Sequence, residues 1–187
     1  MKELNSKVPD IFKDVSEFLL LAQPEVVTPP HQLPPKWILE LAHRLIDEEV
    51  NKEKYATLAA LQMMIDGRYS IEIMAELLDS IIDSIYVLAW TARALSLPFN
   101  EAWNEVQKAN MAKFPIAPEL YGGGIEGNIT ETVVNGRIVR RNEYGKVQKP
   151  EGWKAPDIWG VIYEAWTRPL YDAQGKIVAK PIKDRGD

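Results

Sequence analysis

The sequence predicts an all-α fold, a helical bundle core carrying a small β-hairpin insertion and a C-terminal tail, and three observations predict it. Between residues 35 and 113, apolar side chains recur at helical spacing through long runs. Residues that start and stop helices stand at the ends of those runs. Further on, one Asn-Gly pair between β-branched residues marks a hairpin, at Asn135-Gly136.

Pro9-Asp10 followed by Ile11, Phe12, Val15, Phe18, Leu19 and Ala22 reads as a short amphipathic helix that stops at Gln23-Pro24. Pro24 to Pro35 holds five of the thirteen prolines and reads as an extended connector. A long helix then runs from Pro35 towards Gly67, with Trp37, Ile38, Leu41, Ala42, Leu45 and Ile46 as its buried stripe. Ser70 is a suitable N-cap for the next helix, which extends to about Ser96 with Glu72 in its first turn. Asn100 is the expected cap of a third, running to about Lys113 and ended by Pro115. These helices form an expected core over about residues 9–115. The hairpin and an aromatic-rich, proline-punctuated tail over about 116–187 are expected to pack onto it as one domain, since some 70 residues of this composition make a marginal core alone.

Composition narrows the chemistry. With 187 residues, 46% of them hydrophobic, and six Trp, the chain can fill a core. No Cys is present, so disulfide scaffolds, thiolate metal sites and thiol nucleophiles are excluded together. A formal charge of −5 offers no general attraction to a nucleic-acid polymer, so a nucleotide would need local cations or a bound metal to hold it. The start of the chain, Met1-Lys2-Glu3-Leu4-Asn5, lacks the pattern of a signal or anchor, and a cytoplasmic protein is expected. Ile71 to Trp90 is long enough to span a bilayer, but Glu72, Glu76, Asp79 and Asp83 within it argue against a membrane partner.

Those four acids are spaced four, three and four apart and share one stripe of their helix. Their neighbours are mostly Ile, Leu, Met, Val and Ala, so the helix reads as largely buried. No Lys or Arg occurs between Arg68 and Arg93 to neutralise the stripe. Like charges at this spacing repel, which leaves shared protons or bound divalent cations as the remedy, and four clustered acids favour cations. The preceding helix places Glu49 and Glu53 where its apolar stripe would continue, with Asp47 and Glu48 on adjacent faces. Antiparallel packing could set Glu49 and Glu53 opposite Glu76 and Asp79 in an all-oxygen site suited to Mg²⁺ or Mn²⁺. Zinc is disfavoured, because His31 and His43 are the only other candidate ligands. Trp90, Trp103 and Trp153 read as core aromatics rather than base-stacking platforms.

The chain resembles MazG-like members of the all-α nucleoside-triphosphate pyrophosphatase superfamily, especially short phage-encoded ones. The resemblance rests on Glu48-Glu49 and Glu53 followed, after 22 residues, by Glu76-Leu77-Leu78-Asp79. It rests also on Asp79-Ser80-Ile81-Ile82-Asp83-Ser84-Ile85-Tyr86, on Val106-Gln107-Lys108-Ala109-Asn110-Met111-Ala112-Lys113 and on Gly145-Lys146-Val147-Gln148-Lys149-Pro150-Glu151-Gly152-Trp153. One departure stands out: the family pattern is Glu-Glu-x-x-Glu, whereas Lys52 occupies the expected third acid and Glu53 follows it.

The resemblance implies a metal-dependent enzyme that hydrolyses a nucleoside triphosphate between its α and β phosphorus atoms. Two or more Mg²⁺ or Mn²⁺ ions would be held by Glu49, Glu53, Glu76, Asp79 and Asp83. Glu48 or Glu49 would orient the attacking water or take its proton. Asn110 and Lys113 would meet phosphate or sugar, and Gln23 would lie near the base or sugar. Homo-oligomers, dimers or tetramers, are implied as well. The phage MazZ group, which acts on dGTP, points to a purine deoxynucleotide as substrate and to a bacterial host cytosol as location. dUTPase-like or phosphoribosyl-ATP chemistry on the same fold, and a noncatalytic helical interaction module, are the rival readings.

Overall fold

The computed structural model describes residues 10–26, 32, 34–171, 174 and 176–179. Half of the proline-rich connector, His31 included, lies outside them. The chain divides into two compact units, Met1–Leu97 with Trp166–Asp187, and Pro98–Ala165.

In the first unit, α1 (Ile11–Ala22) starts at Asp10, whose side chain accepts a hydrogen bond from the Lys13 amide at 3.1 Å. Gln23 closes it, and a 3₁₀ turn follows over Pro24–Val26. The long helix expected from Pro35 to Gly67 is continuous but not uniform. It comprises α2 (Lys36–Leu45), a π-turn (Ile46–Asn51) and α3 (Lys52–Ile65). Then comes α4 (Ile71–Ala94), capped by Ser70, whose hydroxyl accepts from the Ile73 amide at 3.2 Å. Glu72 in its first turn has its carboxyl held below the usual range by a backbone N–H and by Ser70. Replacing the cap, Ser70→Ala, is expected to cost about 1 kcal/mol in urea unfolding, with an unchanged denaturant slope.

The core of this unit gathers Val15, Leu19, Val26, Ile38, Ala42, Ala89, Trp90 and Ala94. Its α4 members all come from the C-terminal half of that helix. Of the expected stripe on α2, Ile38 and Ala42 are buried, whereas Trp37 is exposed. The expectation that α4 is largely buried is corrected. Ile71, Met74, Leu78, Ile81, Ile82, Ile85 and Leu88 are all exposed, Leu78 by 60%. The cause is coverage: α3 packs along the N-terminal half of α4, but the core formed with α1 and α2 lies at its other end.

The second unit opens with α5 (Phe99–Met111), capped at Pro98, so Asn100 is inside the helix rather than at its cap. A three-stranded antiparallel sheet follows in the order β1 (Gly124–Glu126), β2 (Ile129–Val134), β3 (Arg137–Asn142). The Asn135-Gly136 turn joins β2 to β3 with both residues at positive φ, as a two-residue hairpin loop requires. A helix, α6 (Ile158–Thr167), follows in the expected tail, and β4 (Leu170–Tyr171), which pairs with β5 (Ile177–Ala179), belongs to the first unit. The all-α expectation is therefore overturned: the fold is mixed, a helical bundle accompanied by a three-stranded and a two-stranded sheet. None of β1, β4 and β5 was expected, and β1 depends on a close approach. A Cβ on Gly123 would lie 2.5 Å from the Glu131 carbonyl oxygen, so only glycine lets β1 enter beside β2.

The sheet is tied to the chain leaving α5. The Arg137 guanidinium donates to the Phe114 carbonyl at 2.8 Å, and the Ile138 amide to that of Pro115 at 2.8 Å. Across the strands, Arg140 pairs with Glu126 at 3.2 Å and with Glu131 at 2.9 Å, though its Nε–H is not aligned for a hydrogen bond. Tyr121 donates its hydroxyl to Glu131, which raises the phenol above its ordinary range, with burial and the Glu131 charge adding to the effect.

Candidate functional site

The acids belong to the first unit, and the register of α3 against α4 decides which of them can meet. Thr57 and Ser80 share a hydrogen bond of 2.8 Å in the seam, and Ser80 is buried. The two helices are joined by the short turn over residues 66–70, which makes them an antiparallel pair. Counting one turn each way from the Thr57–Ser80 bond, Glu53 comes level with Ser84 and its neighbour Asp83. Glu76 comes level with Ala60 and Leu61, where α3 carries no acid. The expected opposition of Glu49 and Glu53 to Glu76 and Asp79 is thus not assembled. Among the described residues, no group of three or more His, Cys, Asp or Glu is close enough to hold a metal ion.

Side-chain directions on α4 sort into three sectors. At about 100° per residue, Ile73, Leu77, Ser80, Ser84 and Val87 face the α3 seam. Glu72, Glu76, Asp79 and Asp83 run along one flank of it, and Ile71, Met74, Leu78, Ile81, Ile85 and Leu88 along the other. All four acids are exposed. Glu49, Glu76, Asp79 and Asp83 have no cation within ion-pair distance, and Glu53 has Lys52 at 3.8 Å.

The π-turn bears directly on the motif's departure from the family spacing. A π-turn takes up one residue more than an α-turn, and such turns recur at functional sites. Here it spans Asp47, Glu48 and Glu49 and ends where Lys52 begins α3. The Lys52 side chain is 71% exposed and that of Glu53 only 15%, so Glu53 occupies the inner position that ordinary helical spacing would have given to residue 52. Asn51 steadies the turn by donating to Asp47 at 2.7 Å. Glu48 and Asp47 are exposed, and Glu49 is half-buried. The side chains expected to bind metal are all carboxylates, hard oxygen donors of the class that suits Mg²⁺ or Mn²⁺, but among the described residues they are not gathered into a group that could hold one. Gln23, in the same unit, caps α1 through its backbone N–H, which donates to the Leu19 carbonyl at 2.9 Å.

Asn110 and Lys113 are in the second unit, at the end of α5. The Lys113 ammonium donates to Asn110 Oδ1 at 2.8 Å and stands 5.7 Å from the centre of the Trp153 ring. Trp153 is half-buried rather than core, and its indole N–H donates to the Ala109 carbonyl at 2.6 Å. Lys149, a residue with no expected role, places its ammonium 4.0 Å from the centre of the same ring. Beside the ring is a cavity of about 560 Å³ lined by Lys108, Ala109, Ala112, Pro115, Glu151 and Lys154 among others, within the range of small-molecule sites. The signal that could have found it is the Lys149-Pro150-Glu151-Gly152-Trp153 segment, where a basic residue precedes an aromatic across a proline turn. Among the described residues no helix is long and apolar enough to cross a membrane. Compared with known proteins, the chain matches no protein-family model and no curated protein.

Proposed function

We propose that the chain is a MazG-like nucleoside-triphosphate pyrophosphohydrolase, acting in the cytosol of a bacterial host with Mg²⁺ or Mn²⁺ and releasing a nucleoside monophosphate and pyrophosphate. One observation carries the reading. Exposed carboxylates without cation partners line one flank of the α3–α4 seam, and a π-turn places Glu53 in that seam level with Asp83. In this reading Glu49, Glu53 and Asp83 hold the metal together with Asp79 and Glu76 further along the stripe. Bound there, the ions would offset phosphate charge and lower the pKa of a coordinated water. Glu48, exposed at the start of the π-turn, accepts the water's proton or orients it, alone or with Glu49. Asn110 and Lys113 bind phosphate or sugar, and Gln23 contacts the base or sugar. The phage resemblance makes a purine deoxynucleotide such as dGTP the proposed substrate, and a homo-oligomer the proposed assembly.

A panel of the eight common triphosphates, assayed for pyrophosphate release with each metal, tests this. The expected result is turnover of a purine deoxynucleotide. Glu76→Ala and Asp79→Ala, checked for folding by circular dichroism, should lose roughly a thousandfold in rate, several kcal/mol of charge stabilisation at about 1.4 kcal/mol per tenfold. A folded wild type that leaves all eight intact would overturn the reading. A noncatalytic interaction module is the second reading, favoured by the exposed apolar flank of α4, and it requires that null result.

A further inference from the structure

Two positive charges of the second unit meet at one indole. Lys113 and Lys149 both hold their ammoniums within the roughly 6 Å range of a cation–π contact with Trp153. Neither has a carboxylate within ion-pair distance, although the chain as a whole is acidic. By contrast Lys108, on the same helix, is paired with Glu105 at 3.2 Å. The ring that both lysines approach is held in place, because its N–H is committed to the Ala109 carbonyl. An exposed cation–π contact is worth only about 0.5–1 kcal/mol, and two ammoniums on one ring repel each other, so the ring alone is a poor reason to gather them. The negative end of the α5 dipole, about half a charge, is outweighed by two full charges. What completes the arrangement is an anion with more than one negative charge. Lys113 commits one ammonium N–H to Asn110 Oδ1, and the remaining ammonium donors of the two lysines, with no carboxylate in ion-pair distance, are available to it.

We infer that Lys149 and Lys113, held on the Trp153 ring, form a phosphate-binding subsite for the polyphosphate chain of a nucleotide, with Lys149 as its second cation. The inference rests on the substrate role proposed for Lys113, but on none of the acids.

The test is binding of inorganic tripolyphosphate to the full-length protein in the presence of EDTA, by calorimetry and by Trp fluorescence, so that neither metal nor turnover enters. Lys149→Gln and Lys113→Gln should each weaken binding by about tenfold, while Lys149→Arg stays within about threefold of wild type. Lys146→Gln, an equal loss of charge at an exposed lysine nearby in sequence, should change nothing. Trp153→Phe should remove most of the fluorescence response while retaining measurable binding. No binding by the wild type overturns the subsite, as does a Lys149→Gln protein that binds like wild type or a Lys146→Gln protein that weakens equally. Tripolyphosphate binding that depends on Lys149 in a protein that hydrolyses no nucleotide would sink the activity reading and leave the subsite standing. Hydrolysis with KM and tripolyphosphate affinity both unmoved by Lys149→Gln would do the reverse.

Discussion

Mg²⁺ or Mn²⁺ at about a hundred times its dissociation constant is expected to stabilise the folded protein by about 2.7 kcal/mol, because an ion held only by the native carboxylates shifts the folding equilibrium by mass action. For a chain of this size that is a rise in Tm of roughly 5–10 °C. Asp79→Asn should abolish most of the rise. The same change should leave the metal-free protein as stable as wild type or slightly more so, by a few tenths of a kcal/mol. It removes a like charge from a stripe in which Glu76 and Asp83 are one turn away on either side with no cation near them. The two signs together separate a metal ligand from a structural residue, whose loss would lower stability with and without metal. Among the remaining acids, Glu53→Gln should reduce the metal-induced rise more than Glu48→Gln, since the Glu53 side chain is directed into the seam and Glu48 is exposed. A wild type whose Tm ignores both metals, or an Asp79→Asn protein that responds as wild type does, would remove the metal from these acids.

The helices were legible because their ends are written locally. Asp10 and Ser70 are caps that work through their own side chains, and Gly67 takes positive φ just past the end of α3. The π-turn was not legible. Ile46-Asp47-Glu48-Glu49-Val50-Asn51 contains no Gly or Pro to announce it, and the change is one of hydrogen-bond register alone. The stripe of acids on α4 followed from period, but its relation to Glu49 and Glu53 did not. That relation is set by where Thr57 meets Ser80, a tertiary contact with no sequence signature. Burial of α4 was misjudged for a related reason: apolar periodicity says which sides of a helix seek cover, not whether the same chain supplies it. The missed helix α6 did have a signal, Pro156-Asp157 before an apolar run, and Asp157 accepts from the Gly160 amide at 2.8 Å. β1 had the weakest, since Gly122-Gly123-Gly124 reads as a loop until the close approach to Glu131 is known. In the second unit, Asn110 and Lys113 proved to be joined to each other, which sequence spacing allowed, while the meeting of Lys113 and Lys149 on Trp153 required the fold.

Ile81→Glu and Ile85→Glu, singly, are expected to convert an oligomer of this chain into monomers at micromolar concentration. Ile71, Met74, Leu78, Ile81, Ile85 and Leu88 are spaced three, four, three, four and three apart, the repeat of a coiled-coil seam, and every one of them is exposed in the single chain. An exposed apolar surface of that length on a packed helix marks a contact surface. It lies on the flank of α4 away from the acids, so a second copy could cover it and leave the acids open to substrate. Burying one Ile or Leu side chain is worth about 1.5–3 kcal/mol, and a two-fold interface loses each contact twice. One substitution therefore removes about 3–6 kcal/mol, or roughly a 10²- to 10⁴-fold rise in the dissociation constant, before the cost of burying the new charge. Light scattering during size-exclusion chromatography reads the result directly, with circular dichroism confirming that α4 remains helical. Ile125→Glu, at an exposed position on β1, should leave the mass unchanged. A monomeric wild type would refute the seam, and so would an Ile81→Glu protein that keeps its mass while Ile125→Glu loses it.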